Sequence, residues 1–549
     1  MSHLYKQGLD RHQQLLFPPS LDDYVDSDNS VRAIDSYVQT LDLHKLNFTN
    51  TRKSNRADGQ KAYSPKLLLK IYIYGYLNKI RSSRMIEREC KRNIELLWLT
   101  QGLTPTYHTI ANFRRDNAKA LKAIFKEFIL LCKSLDLIGD GLKAVDGAFL
   151  RANASKNTLL MKKSIEKDLA KIEEKITQSI DNYLETLDKQ DRDKQSIHSH
   201  SHNIASNLPK DIDKLKEKRQ ILQENLQLLQ DSHKTQLNTT DKDAHLMIKP
   251  SHNLMAYNAQ IVVDDKHKLI VATDISTIGN DTVQLHHMAT QTKDNLQLSK
   301  EESLEIVGDT GYYSSYELYK CKQDNILAII PEANRNKAQQ DKCLFTRDKF
   351  TYNKSKDCYT CPNNQTLHKR QSHQIKNNKR HFIYTTQNTI CKQCPLKSQC
   401  LPTKTRHKQI YRWEFEEIVE SHRSMMKSQE AKEKVKQRGS IVEHPFGTIK
   451  RTLGWDHFLV RGKRKVGGEN ALIAFTYNFK RVLTILGVEL FNQLMMAIQQ
   501  EDIHMIKEIK GYILERYIAY IKAYFLFFGF LYRKLVLISE FQCEKRRVE

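Results

Sequence analysis

The chain has 549 residues, enough for two to four domains and a large core. Its 40% hydrophobic and 28% charged residues are those of an ordinary globular protein rather than a disordered chain. Lys and Arg number 88 against 64 Asp and Glu, a formal net charge of +24 and a pI near 9.4; that excess suits a polyanionic partner, because each neutralised phosphate releases counterions.

The opening MSHLYKQGLDRHQQLLF has no apolar core of signal-peptide length. Residues 1 to about 135 read as helical. Ser20, Ser64-Pro65 and Thr106 mark helix starts, and turns fall near Ser82-Ser83 and Gly102. Short helices, a tight turn and a helix carrying Thr109, Asn112, Arg114 and Arg115 resemble a helix-turn-helix DNA reader. A bundle with a solvated basic face gives the same pattern.

LKAVDGAF (142–149) is a short strand. Residues 157–239 form a biased insertion. KKSIEKDLAKIEEKITQSIDNYLETLDK keeps Ile and Leu at heptad-like spacing, which predicts a helical hairpin or coiled coil. QDRDKQSIHSHSHNIASNLPKD, with Pro209, would be its polar tip, and its histidines (His198, His200, His202, with His233 further on) read as solvated loop residues rather than a metal site. NLMAYNAQIVVDDKHKLIVATDIST is a hairpin, DTVQLHHMATQTKDNLQLS a helix, SLEIVGD a strand, YYSSYELYKCKQ a helix and ILAIIPE a strand.

That order predicts an α/β fold: an RNase H-like core whose mixed sheet is flanked by helices, with the helical segment inserted after its first strand. The expected organisation is an all-α DNA-binding domain over 1–135 and a core from 140–156 and 240–331, interrupted by 157–239. A Cys-rich insertion (332–415), a glutamate-bearing helical part (416–490) and a helical tail (491–549) follow. NALIAFTYNFKRVLTILG (470–487) reads as an amphipathic helix under the core. In the tail, charges interrupt GYILERYIAYIKAYFLFFGFLYRKLVLI, leaving a run from Ala523 to Tyr532 too short to span a bilayer, so a core or oligomerisation helix is expected and no membrane partner. The ten cysteines do not form an extracellular disulfide framework, which predicts a reducing cytoplasm.

Three carboxylates stand out. Asp146 and Asp309 end apolar runs, and strand ends are where ligands bind in open α/β sheets. Glu443 lies three residues after Ser440, at capping-box spacing near a helix start. Brought together, two Asp and one Glu can hold two Mg2+ or Mn2+ ions, the arrangement that clamps the attacking and leaving oxygens of a phosphodiester displacement. Lys450, two helical turns beyond Glu443, and its neighbour Arg451 could hold a DNA phosphate there. Trp455 reads as a core residue or as a platform for a flipped base. Cys358, Cys361, Cys391 and Cys394 form two CxxC pairs, and Cys400 follows; such pairs can present four thiolates to a structural Zn2+, with Cys343 competing as ligand and an Fe–S cluster or redox thiols as alternatives.

VDGAFLRANASK, GDTGYYS and VEHPFGTIKRTLGW resemble, in that order, the motifs of the DDE transposases of the IS1182 group, within the wider IS4-like set. FPPSLDDYVDSDNSVRAID and LTPTYHTIANFRRDN resemble the helical DNA-binding region of the same family, and the likeness spans roughly 15–155 and 240–487. It implies an insertion-sequence transposase that binds terminal inverted repeats, cleaves DNA strands with two Mg2+ or Mn2+ ions and transfers them to target DNA as a dimer or larger synaptic complex. Asp146, Asp309 and Glu443 would be catalytic and Lys450 would position a phosphate. The wider set's Tyr and Arg ahead of the glutamate are not matched in register; Arg438 stands one position away. The rivals are a catalytically inactive DNA-binding regulator and a metal-dependent nuclease without strand transfer.

Overall fold

The computed structural model describes residues 20–49, 62–192, 201–232, 234–248, 253–333, 341, 343–376, 379–402, 405–519 and 522. Helices open the chain: α1 Ser30–Thr40, α2 Pro65–Leu77, α3 Ser83–Cys90, α4 Ile94–Thr100, α5 Tyr107–Asp116 and α6 Ala118–Ser134. Several start where a short polar side chain accepts an otherwise unpaired N–H: Asn29 from Val31, Ser82 from Met85, Asn93 from Glu95 and Leu96.

Strand β1 (Lys143–Arg151) follows. Strands β2 (Leu159–Met161) and β3 (Gln236–Asn238) pair as the stem of a long hairpin made by α7 (Lys162–Arg192) and α8 (Ser201–Asp231), whose contact buries Ile165, Leu229 and Leu237 apart from the main core. Much of the polar stretch expected to form the tip is therefore helix, since α8 already begins at Ser201. His198, His200 and His233, and the side chain of His202, lie outside the described residues.

The chain then makes β4 (His245–Ile248), β5 (Asn253–Asp264), β6 (Ile270–Ser276), α9 (Leu285–Asn295), β7 (Leu304–Val307), α10 (Ser315–Gln323) and β8 (Ile326–Ile329). The order across the mixed sheet is β6-β5-β1-β7-β8, with β4 also paired to β5. β5 is antiparallel to β1 and β6, while β1, β7 and β8 run parallel. Apart from its first two residues β5 is buried along its whole length, so it reads as a continuous apolar run except for two buried amides, Asn258 and Gln260, and the buried Asp264 at its end.

A second, antiparallel sheet of β9 (Thr351–Asn353), β10 (Cys358–Thr360), β11 (Thr366–Lys376), β12 (Lys379–Thr385) and β13 (Gln409–Trp413) forms the Cys-rich insert, with short helices α11 (Asn388–Lys392) and α12 (Lys397–Cys400) before β13. Next come α13 (Glu416–Met425) and α14 (Gln429–Gly447), which runs into a π-helical turn, Thr448–Thr452. α14 starts far earlier than its Ser440 suggested. Ser428 caps it by accepting from Ala431, and Ser440 lies mid-helix with its hydroxyl donating to Gln437.

Helices α15 (Lys463–Leu486) and α16 (Val488–Gln499) follow. α15 is not the amphipathic helix its sequence suggested, because every residue from Val466 to Phe479 is buried. It threads between the N-terminal helices and the sheet, packing on α6, α2 and β6. Its polar side chains are satisfied there: the Asn478 amide pairs with both backbone groups of Ile270 at 2.8 Å, closing the edge of β6. One hydrophobic cluster consequently runs from Val25 to Ile513. Among the described residues no single helix is long and apolar enough to cross a membrane. Residues 523–549, and with them the apolar run Ala523–Tyr532, are outside the described part.

Candidate active site

Strands β1 and β7 pair only at Lys143–Ile306 and Ala144–Val307, then part. Asp146 lies two residues beyond the last pair on one strand and Asp309 two beyond it on the other, so both carboxylates stand at the mouth of the opening. Gly308 lets the strands meet so closely, since a Cβ there would lie 2.8 Å from Ile330 and 2.9 Å from Val145. Asp309 accepts from Gly311 N at 2.8 Å, which fixes the turn that follows. Asp146 accepts from Gly147 N at 2.9 Å.

A third carboxylate joins them. Asp281, in the loop after β6, accepts from Asn258 Nδ2 at 2.8 Å and from Gln260 Nε2 at 2.6 Å. The donors are oriented by a chain of bonds. The buried Tyr312 hydroxyl donates to Gln260 Oε1, which turns the Gln260 amide nitrogen toward Asp281 and Asn258 Oδ1. Burial, and then the charges of Asp281, Asp146 and Asp309, push the Tyr312 hydroxyl well above its ordinary pKa, so it remains a donor. Gly147 makes the room: Gln260 Nε2 passes 2.4 Å from where its Cβ would be.

Burial raises the Asp146 carboxyl above its usual range; Arg438 and Gly147 N–H oppose that, while Asp309 and Asp281 add to it. Arg438 reaches in from α14, its Nη1 3.5 Å from Asp146 Oδ1, so the residue one position out of register faces the first aspartate. Glu443 lies further along the same helix, which crosses β1, β5, β7 and β8. Its exposed carboxylate lies back over Gly439, 3.4 Å from that residue's Cβ position. Among the described residues no hydrogen bond or ion pair joins Glu443 to either aspartate, and no three His, Cys, Asp or Glu side chains are gathered tightly enough to hold a metal ion. Lys450 sits in the π turn with its ammonium 5.4 Å from the Phe446 ring centroid, and Arg451 beside it is exposed. The π turn changes the simple two-turn relation expected between Glu443 and Lys450.

Two residues expected to touch DNA are core residues instead. Arg114 donates to Glu469 and to the Tyr76 hydroxyl, each at 3.1 Å, in the buried contact between α5, α2 and α15. Trp455 is fully buried, stacked on Tyr76 at 4.0 Å between ring centroids with Arg81 over its other side. The neighbouring Arg115 and Asn112 are exposed on α5. In the insert, Cys361, Cys391, Cys394 and Cys400 are partly buried near one another, whereas Cys358 is buried within β10.

Residues 19–116 match the family described as Transposase domain (DUF772), and residues 360–483 match the one described as Transposase DDE domain. Two separate segments of the chain are thus similar to transposase domains. The resemblance to IS1182-group DDE transposases stands on these two matches, which take in the N-terminal helices, Glu443 and Lys450; Asp146 and Asp309 lie between the matched segments. No curated protein matches the chain. Among solved structures, a cryo-EM structure of a piggyBac transposase synaptic complex with hairpin DNA is 7% identical and covers 90% of this chain and 85% of its own, with a TM-score of 0.29, too low to carry an argument.

Asp281 was not foreseen from sequence, because DTVQ reads as the start of the following helix, which begins only at Leu285, and matches no motif. The legible signal lay elsewhere, in Asn258 and Gln260 two residues apart within NLMAYNAQIVV. Paired amides on one face of an otherwise apolar strand require a buried polar partner.

Proposed function

We propose that this transposase cleaves DNA at the ends of its element and joins the freed strand to target DNA, using Asp146, Asp309 and Glu443 with Mg2+ or Mn2+. The observation that carries the reading is the meeting of Asp146 and Asp309 where β1 and β7 part, in a sheet whose order β6-β5-β1-β7-β8 is that of an RNase H-like core. The residues present suit a hard divalent cation: Asp146 and Asp309 bring two negative charges to one opening, the second raising the proton affinity of the first, and oxygen donors are what Mg2+ takes. Such ions, when bound, supply a nucleophilic oxygen and stabilise the leaving one.

The chain's own groups then have defined work. Arg438 balances Asp146 until a cation is bound. Glu443 completes the carboxylate set by turning from Gly439 toward the sheet, on a helix already laid across it. Lys450 and Arg451 hold the scissile strand's phosphates. Exposed cations of the N-terminal helices, Arg115 among them, bind the terminal inverted repeats. Two ends must be held at once, so the working form is a dimer or larger synaptic complex.

Asp309→Asn tests this. End binding should persist in a gel-shift assay while Mg2+-dependent cleavage of end-bearing DNA falls by at least about 1,000-fold, roughly 4 kcal/mol of barrier. Unchanged cleavage would remove Asp309 from the site. Cleavage without joining in the wild-type protein would leave a nuclease.

A further inference from the structure

The Cys-rich insert has little core of its own. Phe350, Tyr359, Leu367, Tyr384 and Ile410 are its buried cluster, few for a five-stranded sheet with long polar strands. Its loops carry four partly buried thiols, Cys361, Cys391, Cys394 and Cys400.

Cys361 follows β10 and opens a tight turn. Its N–H donates to Gln365 O, its carbonyl accepts from Asn364 N, both at 2.9 Å, and Asn364 takes a left-handed φ of 51°. That turn aims Gln365 N–H at Cys361 Sγ, 3.3 Å away. From the same turn the Asn363 amide reaches Cys394 Sγ at 3.5 Å, joining it to the second CxxC pair. Cys391 is held in α11, one turn before Cys394. Cys400 ends α12, and both it and Cys361 pack against the small core. Donors aimed at sulfur favour thiolates and orient them. Cys358 stands apart, buried within β10 opposite Asn353 and His368, and Cys343 is exposed.

We propose that Cys361, Cys391, Cys394 and Cys400 are the four ligands of a structural zinc site that locks the β10 turn to α11 and α12. As placed, no three of them are gathered tightly enough to hold an ion; binding draws the sulfurs inward, releases their protons to solvent and cancels the repulsion among the thiolates. Soft sulfur donors select Zn2+ over the Mg2+ suited to the carboxylate site, and four ligands leave no open position for catalysis.

The full-length protein, purified without added metal and dialysed against a weak chelator, should retain close to one zinc per chain by elemental analysis. Ser variants of Cys361, Cys391, Cys394 and Cys400 should each lose most of it, while Cys358→Ser and Cys343→Ser keep it. Should the ligand variants fail to fold, Co2+ exchanged into the wild-type protein should give the visible absorption of a tetrahedral tetrathiolate. Less than roughly half an equivalent of zinc without that Co2+ spectrum would overturn the site. So would stoichiometric iron with Fe–S absorption, a disulfide among the four found by mass, or zinc loss in Cys358→Ser. None of these readouts involves DNA, so the result is independent of the strand-transfer reading.

Discussion

Arg114 shows how a residue's chemistry can point one way and its position another. A basic residue late in a helix after a tight turn fits a DNA reader, but its guanidinium is 9% exposed and its partner Glu469 not at all. Glu469 also accepts from Leu459 N and Val460 N, so it organises the start of α15. Arg114→Gln would leave a buried carboxylate without its cation, a loss of about 3–5 kcal/mol. Thermal unfolding should show it, whereas Arg115→Gln, exposed beside Asp116, should change stability by less than about 0.5 kcal/mol. Sequence gave no means to separate the two neighbours, because α15, which decides the matter, lies more than 350 positions away. Asp281 poses the opposite case, a residue without a motif whose setting suits function. Asp281→Asn keeps the shape while removing the charge beside Asp146. End binding should be unchanged, and the Mg2+ concentration needed for half-maximal cleavage should rise about 10- to 100-fold. Lower stability with unaltered Mg2+ dependence would reduce Asp281 to a structural role.

At the scale of elements, periodicity worked where one or both faces of a strand were apolar. β5, β6, β7 and β8 were all legible as runs of Val, Ile and Leu, and a strand of eight residues was read at β1, which extends to Arg151. It failed for α15, because a helix buried all round keeps polar residues that meet internal partners and still looks amphipathic. The close approach of α15 to α6 depends on Gly468, whose Cβ would lie 2.6 Å from Ala118 Cα; no periodicity announces such a contact. In the insert, Asp357 bridges three strands, accepting from the hydroxyls of Tyr352 on β9 and Tyr384 on β12 and from Lys369 on β11. Partial burial pushes its carboxyl up, but Tyr384, Lys369 and Tyr352 outweigh that and hold it at about 2. Because the folded pKa lies below the ordinary 3.8, Asp357 stabilises the fold fully above that range and progressively less as pH falls toward 2. Asp357→Asn should therefore cost about 1 kcal/mol at pH 6, modest because the side chain is 43% exposed, and almost nothing near pH 2. Equilibrium unfolding of both proteins across that interval checks the sign.

For the whole molecule, the question is which parts share a core. The N-terminal helices, the main sheet and α15 belong to one cluster running to Ile513, and Ser36 on α1 donates to Asn492 on α16 at 2.6 Å, tying the two ends of that cluster. The α7–α8 hairpin is different. Ile165, Leu229 and Leu237 form a separate cluster there, and the β2–β3 ladder closes the stem with Leu160 opposite Leu237. The stem is in turn anchored by Asn238, whose amide donates to Ser155 O and whose oxygen accepts from Thr240 N and Asp241 N. A segment whose ends are pinned by its own ladder, and whose buried apolar residues Ile165, Leu229 and Leu237 cluster apart from the main core, can be shortened without opening that core. Replacing 166–228 with a tight turn should leave the principal thermal transition within about 3 °C of wild type, since among the described residues none of the main cluster is removed. A fall of more than about 10 °C, or loss of cooperativity, would mean that the hairpin braces the main cluster, and the view of it as an independent attachment would have to go.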